Sequence, residues 1–212
     1  MAVLDNASTT SKSAKSVFLL TVSLRNTFVP AYQPKLQAVK IVKLTGPETY
    51  KTFLFEADLA SRSESNLASV GSSYLLRMEI EPGDYIIMGL NSYGQSMMIN
   101  GEFFTPIGTR LRVSAATPGI CYLGHVEAIV RERKGDEFRA GPYLPMQEQK
   151  LTGASGGTFD IAITDQWETD SVKFQNKFPA LKTATVQKAV LPPFNPDRIQ
   201  RWWAKNVFNE LP

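Results

Sequence analysis

The sequence predicts a mainly β fold, an antiparallel β-sandwich with two α-helices appended in its C-terminal third. Three observations carry this. Short runs with apolar residues at every second position recur through most of the chain. A Pro-Gly phrase occurs twice, as Glu81-Pro82-Gly83-Asp84-Tyr85 and as Thr117-Pro118-Gly119-Ile120-Cys121-Tyr122, each time running into an aromatic, apolar stretch. Helical spacing with N-cap signals appears only after residue 164. In the Pro-Gly phrases, proline presets φ at the second turn position and glycine supplies positive φ at the third. Each copy therefore reads as the start of a hairpin.

Residues 1–14 are mostly small and polar and bury too little surface to offset their ordering entropy. They read as a flexible lead-in or tether, and residues 15–212 as one domain. Phe18, Leu20, Val22 and Leu24 share one strand face, with ordered structure starting near Val17. The stretch from Val39 to Leu44 is β-branched and its apolar phase slips, as a bulge would make it. Tyr50 to Ala57 places Phe53 and Phe55 on one side with Lys51 beside them. Tyr74, Leu76, Met78 and Ile80 alternate with Arg77 and Glu79, the pattern of a half-buried strand. Tyr85 to Leu90 is apolar on both phases, as in a central strand.

Between these, Ser61 to Ser69 lacks a strand period and reads as a loop. Leu111, Val113 and Ala115 alternate with polar residues. A regular strand after the second Pro-Gly phrase would put Ile120, Tyr122, Gly124, Val126, Ala128 and Val130 on one face, and Cys121, His125 and Glu127 on the other. Phe159, Ile161 and Ile163 form a later strand face, preceded by a glycine-rich segment, 153–157, that reads as a flexible loop. The first helix spans about 165–178, with Asp165 as N-cap, Glu168 as its capping-box partner, Val172, Phe174 and Phe178 facing inward, and Pro179 as its stop. The second spans about 196–209, with Asn195 as N-cap, Pro196 at the first helical position, and an apolar stripe of Ile199, Trp202, Trp203 and Val207.

The apolar fraction of 43% and charged fraction of 20% are those of a globular protein able to bury a core. The net charge of +3 is too small and too scattered to argue for nucleic acid. Cys121 is the single cysteine, so no intrachain disulfide forms. No run approaches the roughly 20 apolar residues of a membrane helix.

The chemistry-bearing residues give no enzyme signature. His125, the single histidine, shares its expected face with Glu127 and Cys121, but the paired spacings of a zinc site are absent. Cys121 lies in an apolar strand, where a thiol is usually inert. Ser155 lacks the G-x-S-x-G elbow, and no phosphate-binding G-K-[ST] follows the glycines. No catalytic, metal or cofactor-binding residue is expected. Trp202 and Trp203, flanked by Arg198 and Arg201, form the candidate partner-binding group, since aromatic and cationic side chains together suit a protein interface, a glycan platform or a membrane surface. Neighbours on a helix point about 100° apart, so at most one indole is expected to be fully buried.

Taken in order, several phrases resemble those of small bacterial envelope lipoproteins. Glu81-Pro82-Gly83-Asp84-Tyr85 is similar to their Pro-Gly-x-Tyr turn, and Gly119-Ile120-Cys121-Tyr122-Leu123-Gly124 to their Gly-x-x-Tyr-x-Gly strand. Thr158 to Asp165, with Phe178-Pro179-Ala180-Leu181, is similar to their closing strand, Asp-capped helix and terminal Pro turn. The resemblance spans roughly residues 74–181. It implies a β-sandwich tethered by a lipidated N-terminal cysteine, and no catalytic residues. The chain has no such cysteine in residues 1–14. The expected protein is a noncatalytic domain on the periplasmic face of the envelope, with a binding or structural role and an envelope protein as partner. Membrane contact would come only through a lipid anchor, and the location would be cytoplasmic if Met1 is the native start. The alternatives are a hydrolase or other enzyme using a cleft between sandwich and helices, and a soluble small-molecule or glycan binding module.

Overall fold

The computed structural model describes residues 15–47, 49–57, 71–96, 99–142 and 147–205. It is a mainly β sandwich of mostly antiparallel strands. The strands are β1 (Ser16–Asn26), β2 (Lys35–Leu44), β3 (Tyr50–Glu56), β4 (Ser72–Ile80), β5 (Gly83–Ser96), β6 (Ile99–Val113), β7 (Ile120–Glu132), β8 (Gly157–Thr164) and β9 (Val186–Lys188). The first sheet runs β4-β1-β7-β8, with β9 beside the start of β7, and the second runs β3-β2-β5-β6. Within the first sheet β1 and β9 lie parallel to β7. The other pairings are antiparallel.

The core lies between the sheets. Leu20, Val22 and Val126 of the first meet Val39, Ile41, Ile87 and Leu90 of the second, all fully buried. Phe103 and Phe159 bridge the layers edge to face, with ring centres 6.4 Å apart. Each such side chain contributes roughly 2 kcal/mol by leaving water. A second cluster lies on the outer face of the first sheet. Leu19, Leu75 and Tyr122 are covered there by Phe174 and Leu181. Burial on both faces explains why β1 is apolar on both phases.

The two Pro-Gly phrases do not start hairpins. The first joins β4 of one sheet to β5 of the other, and the second joins β6 back to β7. Both are links between layers. Gly83 has a φ of 149°, whereas Gly119 is not among the glycines with positive φ. Turn chemistry fixes where the chain bends, but the burial of strand faces decides which neighbour the next strand takes.

β2 does carry a bulge, but it lies between Leu36 and Ala38, before the stretch from Val39 to Leu44 where the sequence suggests it; the shift at Lys40/Ile41 puts the extra residue, Met88, in β5. β5 is central, flanked by β2 and β6. β6 begins at Ile99, well before the alternation read at Leu111. The segment 153–157 is a packed turn: Ala154 is fully buried and Gly157 N–H donates to Gly153 O at 2.7 Å. The segment read as a loop at Ser61 to Ser69, the lead-in 1–14 and Val207 lie outside the described residues.

The helices also differ in detail. α1 (Gln147–Leu151) is an unexpected short helix. α2 (Trp167–Lys177) starts after Gln166, so Asp165 sits one residue outside the cap. Its carboxylate still accepts from Trp167 N–H at 3.0 Å and pairs with Lys188 Nζ at 2.9 Å. The cap itself makes no side-chain hydrogen bond, and no capping box forms with Glu168. Phe174 is buried, but Val172 is 56% exposed, because Asp170 takes the inward position beside Phe174. α3 (Pro196–Ala204) has the expected cap, with Asn195 Oδ1 accepting from Arg198 N–H at 2.9 Å. No helix among the described residues is long and apolar enough to cross a membrane.

Candidate functional site

β6 is an edge strand, and an unpaired edge must be covered. The chain does this with α1 and the segment after β7. The amide of Glu102 donates to Gln149 Oε1 at 2.6 Å, and Gln149 Nε2 donates back to Glu102 O at 3.2 Å and to Pro142 O at 3.3 Å. The amide of Phe104 donates to Ala140 O at 2.8 Å. Gly141 fits because a Cβ there would lie 2.3 Å from Glu102 O. α3 then clamps the same segment: Gln200 accepts from Phe138 N–H at 2.8 Å and donates to Asp136 O at 2.7 Å.

These supports leave a cleft of about 350 Å³ between β2, β5 and β6 on one side and residues 138–142 with α3 on the other. Its aromatic lining is Phe103, Phe104, Phe138, Trp202 and Trp203. Trp202 is buried against Phe104, ring centres 6.4 Å apart, while Trp203 is half-buried. Lys40, Asn91, Glu102 and Arg139 supply polar groups around the rings. Ser92 also lines the cleft, and its buried hydroxyl has no hydrogen-bond partner among the described residues. A pocket of a few hundred Å³, mostly apolar with a few placed polar groups, is the usual form of a small-ligand site.

Of the four residues singled out from the sequence, the structure brings Trp202 and Trp203 to the cleft. Arg198 turns instead to the backbone, with its guanidinium donating to Gly108 O, and so ties α3 to β6. Arg201 is exposed and lies outside the cleft lining. Most of the remaining lining, including Gln37, Glu102, Phe103, Phe104, Pro106 and the segment 138–142, lies outside the strands read from the sequence, so no local pattern marked it.

A second polar group lies on the outer face of the first sheet. Gly124 takes a φ of 108° and β7 changes phase there. His125 therefore shares a face with Tyr122, not with Cys121, which corrects the grouping expected of a regular strand. Cys121 packs against the main core, and burial pushes its thiol up from the ordinary value. Among the described residues no three His, Cys, Asp or Glu side chains converge as metal ligands do.

His125 Nε2 lies 2.9 Å from Ser23 Oγ, and its Nδ1 lies 3.3 Å from Asp170 Oδ2. The same carboxylate oxygen accepts from Tyr122 Oη at 2.6 Å. Asp170 is fully buried. Burial by itself raises its carboxyl, but His125, Tyr122 and Thr21 outweigh that and hold it below the usual value. Burial, and then the bond to Asp170, push the Tyr122 phenol well above its ordinary range. The phase change at Gly124 and the inward turn of Asp170 are both tertiary facts, and the sequence reading joined neither residue to the other.

Comparison with protein-family models, with curated proteins and with solved structures gives no match for this chain.

Proposed function

We propose that this chain is a binding module of the bacterial cell envelope whose cleft holds a glycan. The observation that carries the reading is the cleft itself: aromatic walls of Phe103, Phe104, Phe138, Trp202 and Trp203, with amide, carboxylate and guanidinium groups at the margin. A sugar ring has an apolar C–H face that stacks on an indole, and hydroxyls around its rim that pair with such groups. A concave cleft at Trp202 and Trp203 favours a small ligand over a flat protein surface. The place in the envelope follows the resemblance of the Pro-Gly-x-Tyr and Gly-x-x-Tyr-x-Gly phrases to envelope lipoproteins, with residues 1–14 as the tether to a lipid anchor.

The test is tryptophan emission and calorimetry with N-acetylglucosamine oligomers, using the full chain. Saturable binding is expected, and Trp203→Ala should weaken it at least tenfold, about 1.4 kcal/mol, at a temperature where circular dichroism shows the variant still folded. Oligomers that bind neither protein, or bind both equally, would refute the reading.

A further inference from the structure

We propose that Ser23, His125 and Asp170 form a nucleophile–base–orienter relay on the outer face of the first sheet, giving the chain a serine-dependent esterase activity toward small acyl esters. The relay shares no residue with the aromatic cleft, so neither idea depends on the other. Three separate elements deliver its members: β1, β7 and α2. The order of contacts is what acyl transfer needs, a hydroxyl within hydrogen-bond reach of an imidazole whose far nitrogen faces a carboxylate.

The protonation pattern follows from the partners. Ionised Asp170 can only accept, so the His125 proton belongs on Nδ1, facing Oδ2 at 3.3 Å. That leaves Nε2 as the acceptor for the Ser23 hydroxyl at 2.9 Å. The Nδ1–H is not aligned as a full hydrogen bond. Such bonds are often loose before substrate arrives and tighten in the reacting complex. Tyr122 holds the same carboxylate oxygen at 2.6 Å and so fixes the acceptor that orients the ring.

A purely structural clamp would explain part of this. Asp170 with Tyr122 docks α2 on the sheet, and needs nothing more. Ser23 has no place in such a clamp. Its side chain meets His125 and, at 3.5 Å, Ser73, both on the sheet, and it is half-buried where Asp170 is fully buried. Part of the surface of Ser23 therefore stays open to solvent.

In the reaction, Ser23 Oγ bonds to the ester carbonyl carbon while its proton passes to His125 Nε2. The carbon–oxygen bond to the alcohol then breaks, and the alcohol leaves with that proton. Water, deprotonated by Nε2, attacks the acyl-serine and releases the acid, restoring the Ser23 hydroxyl. Ser23 lies mid-strand between β4 and β7, where backbone amides serve the ladders, so the developing oxyanion must look to side chains. Ser73 Oγ is the nearest, and Arg25 stands two residues further along the same strand face. The loss of even one oxyanion-hole donor lowers rates by about 10²–10³, so activity should be modest and confined to reactive esters.

The experiment treats the native full chain with a fluorophosphonate and maps the adduct by mass spectrometry, alongside hydrolysis of p-nitrophenyl acetate. Labelling of Ser23 in the folded chain and not in the urea-unfolded chain is expected, with a burst of p-nitrophenol. Ser23→Ala should abolish the label and reduce hydrolysis about 100-fold. Asp170→Asn should lower kcat, counted per fluorophosphonate-titrated site, with KM unchanged, which separates a positioning residue from a smaller folded fraction. An unlabelled native chain, a label on another serine, equal labelling after unfolding, or hydrolysis indifferent to Ser23→Ala would each overturn the proposal; the wild-type labelling decides even if a variant fails to fold.

Discussion

Gly124 decides which way a functional side chain points. Its φ of 108° is a conformation L side chains rarely adopt, and a Cβ there would lie 3.1 Å from both Thr164 O and Val190 Cγ1. The residue marks the place where β7 hands its neighbour from β9 to β8: Ile120 to Tyr122 pair with Val186 to Lys188, and His125 to Glu132 pair with Thr164 back to Gly157. The extra residue at the handover turns His125 onto the Tyr122 face, beside the buried Asp170. Gly124→Ala is expected to destabilise the chain by about 2 kcal/mol from backbone strain alone, read as a lower urea midpoint at constant slope. An unchanged midpoint would mean that β7 does not need this conformation. Alternation alone, which assumes a regular strand, put His125 opposite Tyr122; nothing in Tyr122-Leu123-Gly124-His125 announces that the phase changes.

Helices show the same division between local and distant causes. α3 is set by its own sequence: Asn195 caps it, Pro196 opens it, and Ile199 and Trp202 face inward at helical spacing. Asn195→Ala is predicted to lower stability by about 1 kcal/mol and to loosen the wall of the cleft, seen as faster hydrogen exchange at Arg198 and Ile199. Equal exchange in the two proteins would count against the cap. In α2 local rules mislead, because Asp165 signals a cap and Val172 an inward face. The sheet beneath instead draws in Asp170 and Phe174, since Tyr122 offers the carboxylate a hydrogen bond and the rings of Tyr122 and Phe174 meet edge to face at 6.4 Å. The edge of β6 is likewise covered by Gln149 and Ala140, residues far away in sequence that carry no local mark of that task.

Among the described residues, Asp84, Glu137, Asp165 and Asp170 are all held below the ordinary carboxyl range. Arg131 beside Glu137 holds that carboxyl down at about 2, Lys188 lowers Asp165, Arg112 lowers Asp84, and the His125–Tyr122 pair keeps Asp170 low against its burial. A carboxyl lowered in the folded chain stabilises it fully above the unfolded value, and the contribution disappears as pH falls through the folded value. For Glu137 that window runs from its ordinary value of 4.5 down to about 2. The melting temperature should therefore fall through this range, and Glu137→Gln should reduce the drop by a few degrees, since the pair is largely solvated and its strength is screened. A melting temperature flat over that interval would contradict the sign. The sequence by itself determined the β class, the strand faces of β1 and β4, the central place of β5 and the cap of α3, because each depends on side chains two to four residues apart. Only the tertiary structure decided that the Pro-Gly phrases cross between sheets, that the two tryptophans close a cleft over β6, and that Ser23, His125 and Asp170 meet. Those depend on which strand faces are buried together, and burial is settled by the whole chain at once.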